Sequence, residues 1–185
     1  LQAQWLSEGK KTVPISVNVS RTHFTREDLA EHICRIVDKY EVPHHLIELE
    51  LTESAFFDDK HMILNTVHKM QELGFVVSMD DFGSGYSSLN SLKELHLDVL
   101  KIDGEFFRGL DAESFREHNN IEERGLLIVA EVIDLAKKLN MQIVAEGIES
   151  REQVDFLVSQ ECDLIQGYFF AKPMPVEEYI EKYCG

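Results

Sequence analysis

Basic residues are scarce in this 185-residue chain. Lys and Arg number 18 against 34 Asp and Glu, a formal net charge of −16. A surface of that sign argues against counterion-release binding to polymeric nucleic acid and against contact with an anionic membrane. A small anionic ligand stays possible, because metal ions can neutralise the local field. Cysteine is scarce too: Cys34, Cys162 and Cys184 make an odd count with no C-x-x-C pair. A disulfide framework is therefore not expected, and the reading is a reducing, cytoplasmic compartment. Cys34 falls in a helical pattern and reads as a small core residue. No apolar run reaches the ~18 residues of a membrane span, and residues 1–11 are amphipathic, without a signal-peptide core. No Pro-rich linker, low-complexity stretch or close repeat is present. With 44% hydrophobic and 28% charged residues, the chain suits one sizeable soluble core and is too short for two ordinary domains.

Short apolar runs alternate with longer amphipathic ones, the pattern of βα units around a parallel sheet. Strands are expected at 13–20, 47–52, 75–79, 99–102, 142–145 and 164–170. Helices are expected at 26–40, with Thr25 as N-cap and Leu29, Ile33, Ile36 and Val37 on one face, and at 60–73, with Gly74 as a stop. Further helices are expected at about 88–95 and 127–139, after Ser150, and after Pro175. Ser150 and Gln153 read as a capping box. A Gly-rich loop is expected from Asp80 to Tyr86, and a polar stretch at 111–124.

Each expected strand finishes in polar groups: Asn18; Glu50 with Glu53; Asp80 with Asp81; Lys101 with Asp103; Glu146 with Glu149; and Gln166. In a closed (β/α)₈ barrel the C-terminal strand ends converge on one face and carry the active site. In an open doubly wound sheet only strands at the switch point need such groups. Polar groups on all six strands favour the barrel. A full barrel runs to about 250 residues, so about two strand–helix units are expected to be missing from this chain.

Carboxylates dominate these ends, and clustered carboxylates repel unless protonated or bridged by a cation. Oxygen-only donors suit hard ions such as Mg²⁺ or Mn²⁺. Adjacent Asp80 and Asp81 suit two ions with one bridging carboxylate, an arrangement fitted to in-line displacement at phosphorus. Singly, each group has a plainer reading: Asp81 as a turn former, Asn18 as a core amide, Lys101 with Glu146 as a buried ion pair. Six strand ends together weigh against that reading. The eight histidines compete poorly, since none ends a strand and no H-x-x-x-H or H-E-x-x-H spacing occurs.

The strings Asn18-Val19-Ser20, Glu50-Leu51-Thr52-Glu53, Asp80-Asp81-Phe82-Gly83-Ser84-Gly85-Tyr86-Ser87-Ser88-Leu89, Lys101-Ile102-Asp103, Ala145-Glu146-Gly147-Ile148-Glu149 and Gln166-Gly167-Tyr168, in that order, resemble the EAL domain. The resemblance spans nearly the whole chain. It implies a modified TIM (β/α)₈ barrel with about six strand–helix units present. Residues 1–185 would form a single catalytic domain, N-terminally incomplete, with the family's Glu-Ala-Leu segment upstream of Leu1. It also implies an activity, hydrolysis of cyclic di-GMP to linear pGpG with Mg²⁺ or Mn²⁺, a two-metal site, and inhibition by Ca²⁺.

Residue by residue, the resemblance makes Asn18, Glu50, Asp80 and Asp81 metal ligands, with Asp80 bridging. It makes Lys101 the holder of the attacking water and Glu146 the general base. Gln166 becomes a substrate contact, and Glu53 and Glu149 supports of the Asp80 to Tyr86 loop. The implied partners are cyclic di-GMP, a second copy in a homodimer, and fused sensory or GGDEF domains, in a cytoplasmic protein or the cytoplasmic part of a membrane-anchored sensor. Two rival readings remain: a receptor that holds cyclic di-GMP without cleaving it, and an unrelated metal-dependent barrel lyase. Ser84 replaces the commoner threonine of the loop, and Gly104 stands where arginine is common.

Overall fold

Six strands and seven α-helices follow one another in the computed structural model, which describes residues 1–26, 28–52, 55, 60–83, 89–108 and 120–183. Contacts divide the chain into two compact units. The first comprises Leu1–Leu51, Asp58–Val77 and Lys172–Gly185, and the second Thr52–Phe57 and Ser78–Ala171.

In the first unit, α1 (Gln2–Ser7) buries Trp5, whose ring stacks on Tyr179 of α7 (Val176–Tyr183) at 6.1 Å. Strand β1 (Ile15–Asn18) lies parallel to β2 (Ile47–Thr52), with Ile15 opposite Ile47 and Asn18 opposite Glu50. Leu49 and Leu51 are fully enclosed. Helix α3 (Lys60–Glu72) buries Ile63, Val67 and Met70 at the expected spacing, and Gly74 ends it with a φ of +89° that an L side chain resists.

Helix α2 (Leu29–Lys39) begins later than expected, and Thr25 is not its N-cap. Residues Arg21–Thr25 form a 3₁₀ turn and Arg26 is extended, so Asp28 takes the cap position. The Asp28 carboxylate is engaged by Arg26 at 3.2 and 3.3 Å and by Arg35 at 3.5 Å, leaving no side-chain bond to the helix start. Only the first turn of α2 is fully buried, at Leu29 and Ala30; Ile36 is 49% exposed, against the expected core face.

In the second unit, β4 (Val99–Ile102) is buried along its whole length, as a strand covered on both faces must be. It lies between β3 (Val76–Phe82) and β5 (Gln142–Ala145), parallel to both, and β5 pairs in turn with β6 (Leu164–Ile165). Helix α4 (Leu89–Glu94) precedes β4, α5 (Asn120–Lys138) precedes β5, and α6 (Arg151–Ser159) precedes β6. The core gathers Leu100, Ile102, Phe107, Ile133, Ile143, Ile148 and Leu157. The Ser150–Gln153 capping box forms as expected: Ser150 Oγ accepts from the Gln153 amide at 3.2 Å, and the Gln153 side chain accepts from the Ser150 amide at 3.1 Å. No helix among the described residues is long and apolar enough to cross a membrane.

Two strands differ from their expected bounds with consequences for the candidate site. β3 runs three residues further, so Asp80 and Asp81 lie inside a strand and not at the start of a loop. β6 is only two residues long, because Gln166 and Gly167 turn across Ile148 instead of continuing the ladder.

Candidate active site

The strand ends position most of the expected residues. In the first unit Asn18 and Glu50 are register partners on parallel neighbours, so their side chains leave the same face about one strand spacing, ~4.8 Å, apart. Asn18 is exposed and Glu50 buried, only 7% of its surface being accessible.

In the second unit Met79 pairs with Leu100 and Phe82 with Ile102, so Asp80 and Asp81 together face the single residue Lys101. This is a β-bulge, which re-aims side chains that would otherwise point to opposite faces. Its geometry has a cost: Asp81 sits at φ +55°, a left-handed conformation that a non-glycine residue adopts with strain. The Asp80 carboxylate accepts the Asp81 amide at 2.9 Å, a local bond that holds the bulge.

Lys101 lies on β4, and Glu146 follows β5 directly. Their ladder is in register from Val99–Gln142 to Ile102–Ala145, and the Glu146 amide extends it by donating to the Ile102 carbonyl at 3.0 Å. Lys101 Nζ therefore meets Glu146 Oε1 at 3.0 Å, with the lysine side chain 6% and the glutamate side chain 22% exposed. Gln166 is set by backbone bonds on both sides: its amide donates to Ala145 at 2.8 Å and its carbonyl accepts from Ile148 at 3.1 Å, while its side chain stays exposed. Glu149 is exposed on the rim of an open cavity of about 780 Å³ that Glu146, Asp103, Glu105 and Arg108 also line. Glu53, and Ser84 to Ser88 of the Gly-rich loop, lie outside the described residues.

Sequence reasoning missed the glycines that build this cavity wall. A Cβ on Gly104 would stand 3.1 Å from Gly147 Cα, and one on Gly147 would stand 3.0 Å from Gly104 Cα. Gly147 also has a φ of +65°. Gly104, unexplained in the sequence, thus lets the segments after β4 and β5 approach closely. Asp103 holds the first of them by accepting from the Glu105 amide at 2.6 Å. The available signal was a glycine within three residues of each strand end.

The EAL domain family profile matches residues 1–173. The chain is 33% identical over 178 residues to cyclic di-GMP phosphodiesterase NbdA of Pseudomonas aeruginosa, covering 95% of this chain and 22% of that protein. It therefore spans about a fifth of that relative. Among solved structures, the EAL domain of Mycobacterium smegmatis DcpA superposes with a TM-score of 0.83 at 30% identity, over 96% of this chain and 76% of that one. PaMucR phosphodiesterase, solved as a c-di-GMP complex, gives 0.82 at 33% identity, over 95% and 68%. The expected α/β fold of the TIM-barrel type is thus the one found, and with the family profile matched over residues 1–173 the chain belongs to the EAL domain family.

Proposed function

We propose that this chain is the larger part of the catalytic domain of a metal-dependent phosphodiesterase that hydrolyses cyclic di-GMP to linear pGpG. The observation that carries the reading is the Lys101–Glu146 contact of 3.0 Å at the ends of two adjacent parallel strands, beside the Asp80–Asp81 bulge. A cation that is nearly buried and a carboxylate that still reaches solvent suit the handling of a water molecule better than a purely structural pair.

The donor chemistry fits a hard divalent ion. Asn18, Glu50, Asp80 and Asp81 offer oxygen alone, which suits Mg²⁺ or Mn²⁺ with ligand distances of about 2.0–2.2 Å. Glu50 is a carboxylate buried beside an amide in register, and a counter-charge favours such burial. When bound, the metal would act as a Lewis acid on the phosphate and acidify a water. Glu146 takes the proton of the attacking water as its oxygen bonds to phosphorus and the ester P–O bond breaks. Lys101 orients that water and the Glu146 carboxylate. Gln166 contacts the substrate, and Glu149, with Glu53, supports the loop after β3. Ca²⁺ would occupy the same oxygen donors with looser geometry and support turnover poorly.

The whole protein is proposed to be a cytoplasmic signalling protein, or the cytoplasmic part of a membrane-anchored sensor, with sensory or GGDEF domains and a homodimeric state. The test is turnover of cyclic di-GMP with Mg²⁺ or Mn²⁺, followed by chromatography of pGpG. Glu146→Gln keeps the size and loses the base, so the rate should fall roughly 10²–10⁴-fold while binding survives. Near-normal turnover in Glu146→Gln would refute its role as base. Tight binding without turnover by the unmutated chain would instead select the receptor reading.

A further inference from the structure

A second group of metal-binding side chains lies in the first unit, at the other ends of its strands. Cys34 and Asp38 are four residues apart on α2 and so share one helix face. His44 lies in the 3₁₀ turn three residues before β2 begins. Asn18 and Glu50 sit at the C-terminal ends of β1 and β2, whereas this group sits where β2 starts and where the turn from α3 leads into β3.

The three donors converge. Cys34 Sγ is 3.3 Å from Asp38 Oδ2 and 4.0 Å from His44 Nε2, and Nε2 is 2.8 Å from Asp38 Oδ1. Among the described residues, this is the group of three or more His, Cys, Asp and Glu ligand atoms that all lie within 4.8 Å of one another. Zinc bonds of about 2.3 Å to sulfur and 2.0–2.2 Å to nitrogen and oxygen set tetrahedral edges of roughly 3.3–3.6 Å. The observed edges bracket that range, so shifts of a few tenths of an ångström would accommodate an ion.

The histidine is also oriented for this task. Its Nδ1–H donates to the Leu73 carbonyl at 2.5 Å, and its ring stacks on buried Phe75 with centroids 4.4 Å apart and planes 9° from parallel. Those contacts aim Nε2 at Cys34 and Asp38. A backbone carbonyl on the far nitrogen is the outer partner that metal-bound histidines commonly have.

We propose that Cys34, Asp38 and His44 form a second metal site, for a borderline ion such as Zn²⁺, with one coordination position open to water. Binding replaces the Cys34 thiol proton, released to solvent, and uses the lone pair of His44 Nε2 while the ring proton stays on Nδ1. Burial, and then Asp38, raise the Cys34 thiol above its ordinary range, so without metal it holds its proton at neutral pH. Mixed sulfur, nitrogen and oxygen donors distinguish this site from the oxygen-only set, which suits Mg²⁺ or Mn²⁺. The ion would tie the last half of α2 to the turn before β2, at the strand-start end where a barrel's residues serve stability and not chemistry.

Cobalt(II) titration of the intact chain, in excess Mg²⁺ to fill oxygen sites, tests this directly. The expected result is a near-ultraviolet thiolate-to-cobalt charge-transfer band that saturates at one equivalent and is displaced by Zn²⁺. Cys34→Ser should abolish the band, whereas Cys162→Ser should leave it. Asp38→Asn, which keeps the shape of the side chain, should weaken Zn²⁺ binding by more than the roughly 10–100-fold typical of losing an outer partner. Zn²⁺ should raise the melting temperature of the unmutated chain and not that of Cys34→Ser. Absence of the band, or its persistence in Cys34→Ser, overturns the proposal and leaves a His44–Asp38 ion pair with a neighbouring thiol.

Discussion

Gly167→Ala would add one methyl group to the turn that carries Gln166. That Cβ would lie 2.0 Å from the Ile148 carbonyl oxygen, 2.3 Å from its nitrogen and 2.6 Å from its carbonyl carbon. All three are backbone atoms, so no side chain can swing aside. The Ile148 segment cannot easily retreat, because its side chain is fully buried and the preceding Gly147 already touches Gly104. Relief requires separation of about 1 Å or more, which breaks two hydrogen bonds across the contact: Ile148 N to Gln166 O at 3.1 Å and Phe169 N to Ile148 O at 3.0 Å. Each costs about 0.5–1.5 kcal/mol net, and about 1–3 kcal/mol if a group stays buried and unpaired. The expected destabilisation is about 2–5 kcal/mol, a large share of the 5–15 kcal/mol typical of a domain. Urea unfolding measures it as a lowered midpoint at unchanged slope. Gly125→Ala supplies the opposite sign, because Gly125 lies within α5 with open space around its Cβ position; it should stabilise by about 0.5–1 kcal/mol. A loss under about 1 kcal/mol in Gly167→Ala would refute the reasoning from backbone contact.

Asp80→Asn should weaken the proposed metal site and slow turnover together, so activity should be partly recovered by raising Mn²⁺; loss of turnover with unchanged metal dependence would count against a ligand role. Ser150→Ala removes the capping box of α6 and should cost about 1 kcal/mol by denaturant unfolding, with no measurable loss meaning that Gln153 alone supports the helix start. The Cys162 thiol is raised chiefly by burial, against the lowering effect of the backbone contacts at Leu164 and Ala145. Less thiolate is then present at a given pH, so iodoacetamide should modify Cys162 more slowly than a free cysteine at pH 8, the rate still climbing above pH 9; a rate equal to free cysteine, read by peptide mass spectrometry, would contradict this.

Residues whose local pattern and tertiary surroundings agree were readable in advance. β2 takes its expected bounds through its strict alternation, and β4 and β5 through short apolar runs bounded by Asp98, Asp103, Asn140 and Gly147. The Ser150 box forms because its donors and acceptors are four residues or fewer apart. The misreadings have physical causes. Asp80-Asp81 looks like a turn, yet pairing with β4 draws both residues into β3 and the surplus residue becomes a bulge. Helix α5 starts at Asn120, seven residues before the apolar periodicity at Leu127, since Glu122, Glu123 and Arg124 are good helix formers that present no apolar stripe. Cys34, Asp38 and His44 escaped notice because their spacing matches no histidine pair, and their meeting depends on how α2 ends near β2.

Several residues of the proposed site lie where regular geometry fails, and the regular parts compensate. Asp81 and Gly147 occupy left-handed backbone positions, Gly167 accepts a contact that no Cβ tolerates, and Gly104 one that a Cβ would make tight. These strained or crowded points flank β4 and β5, where eight residues in unbroken register include only one, Gln142, that is exposed. A ladder so enclosed resists local opening, so the bulge before it and the turns after it are held in place. Regular hydrogen bonding brings Lys101 beside Glu146, whereas the bulge brings two aspartates to face that lysine. Deletion of one aspartate would remove the surplus residue and leave a single aspartate opposite Lys101. The proposed catalysis would therefore depend on the extra residue in β3 as much as on the identity of the side chains it carries.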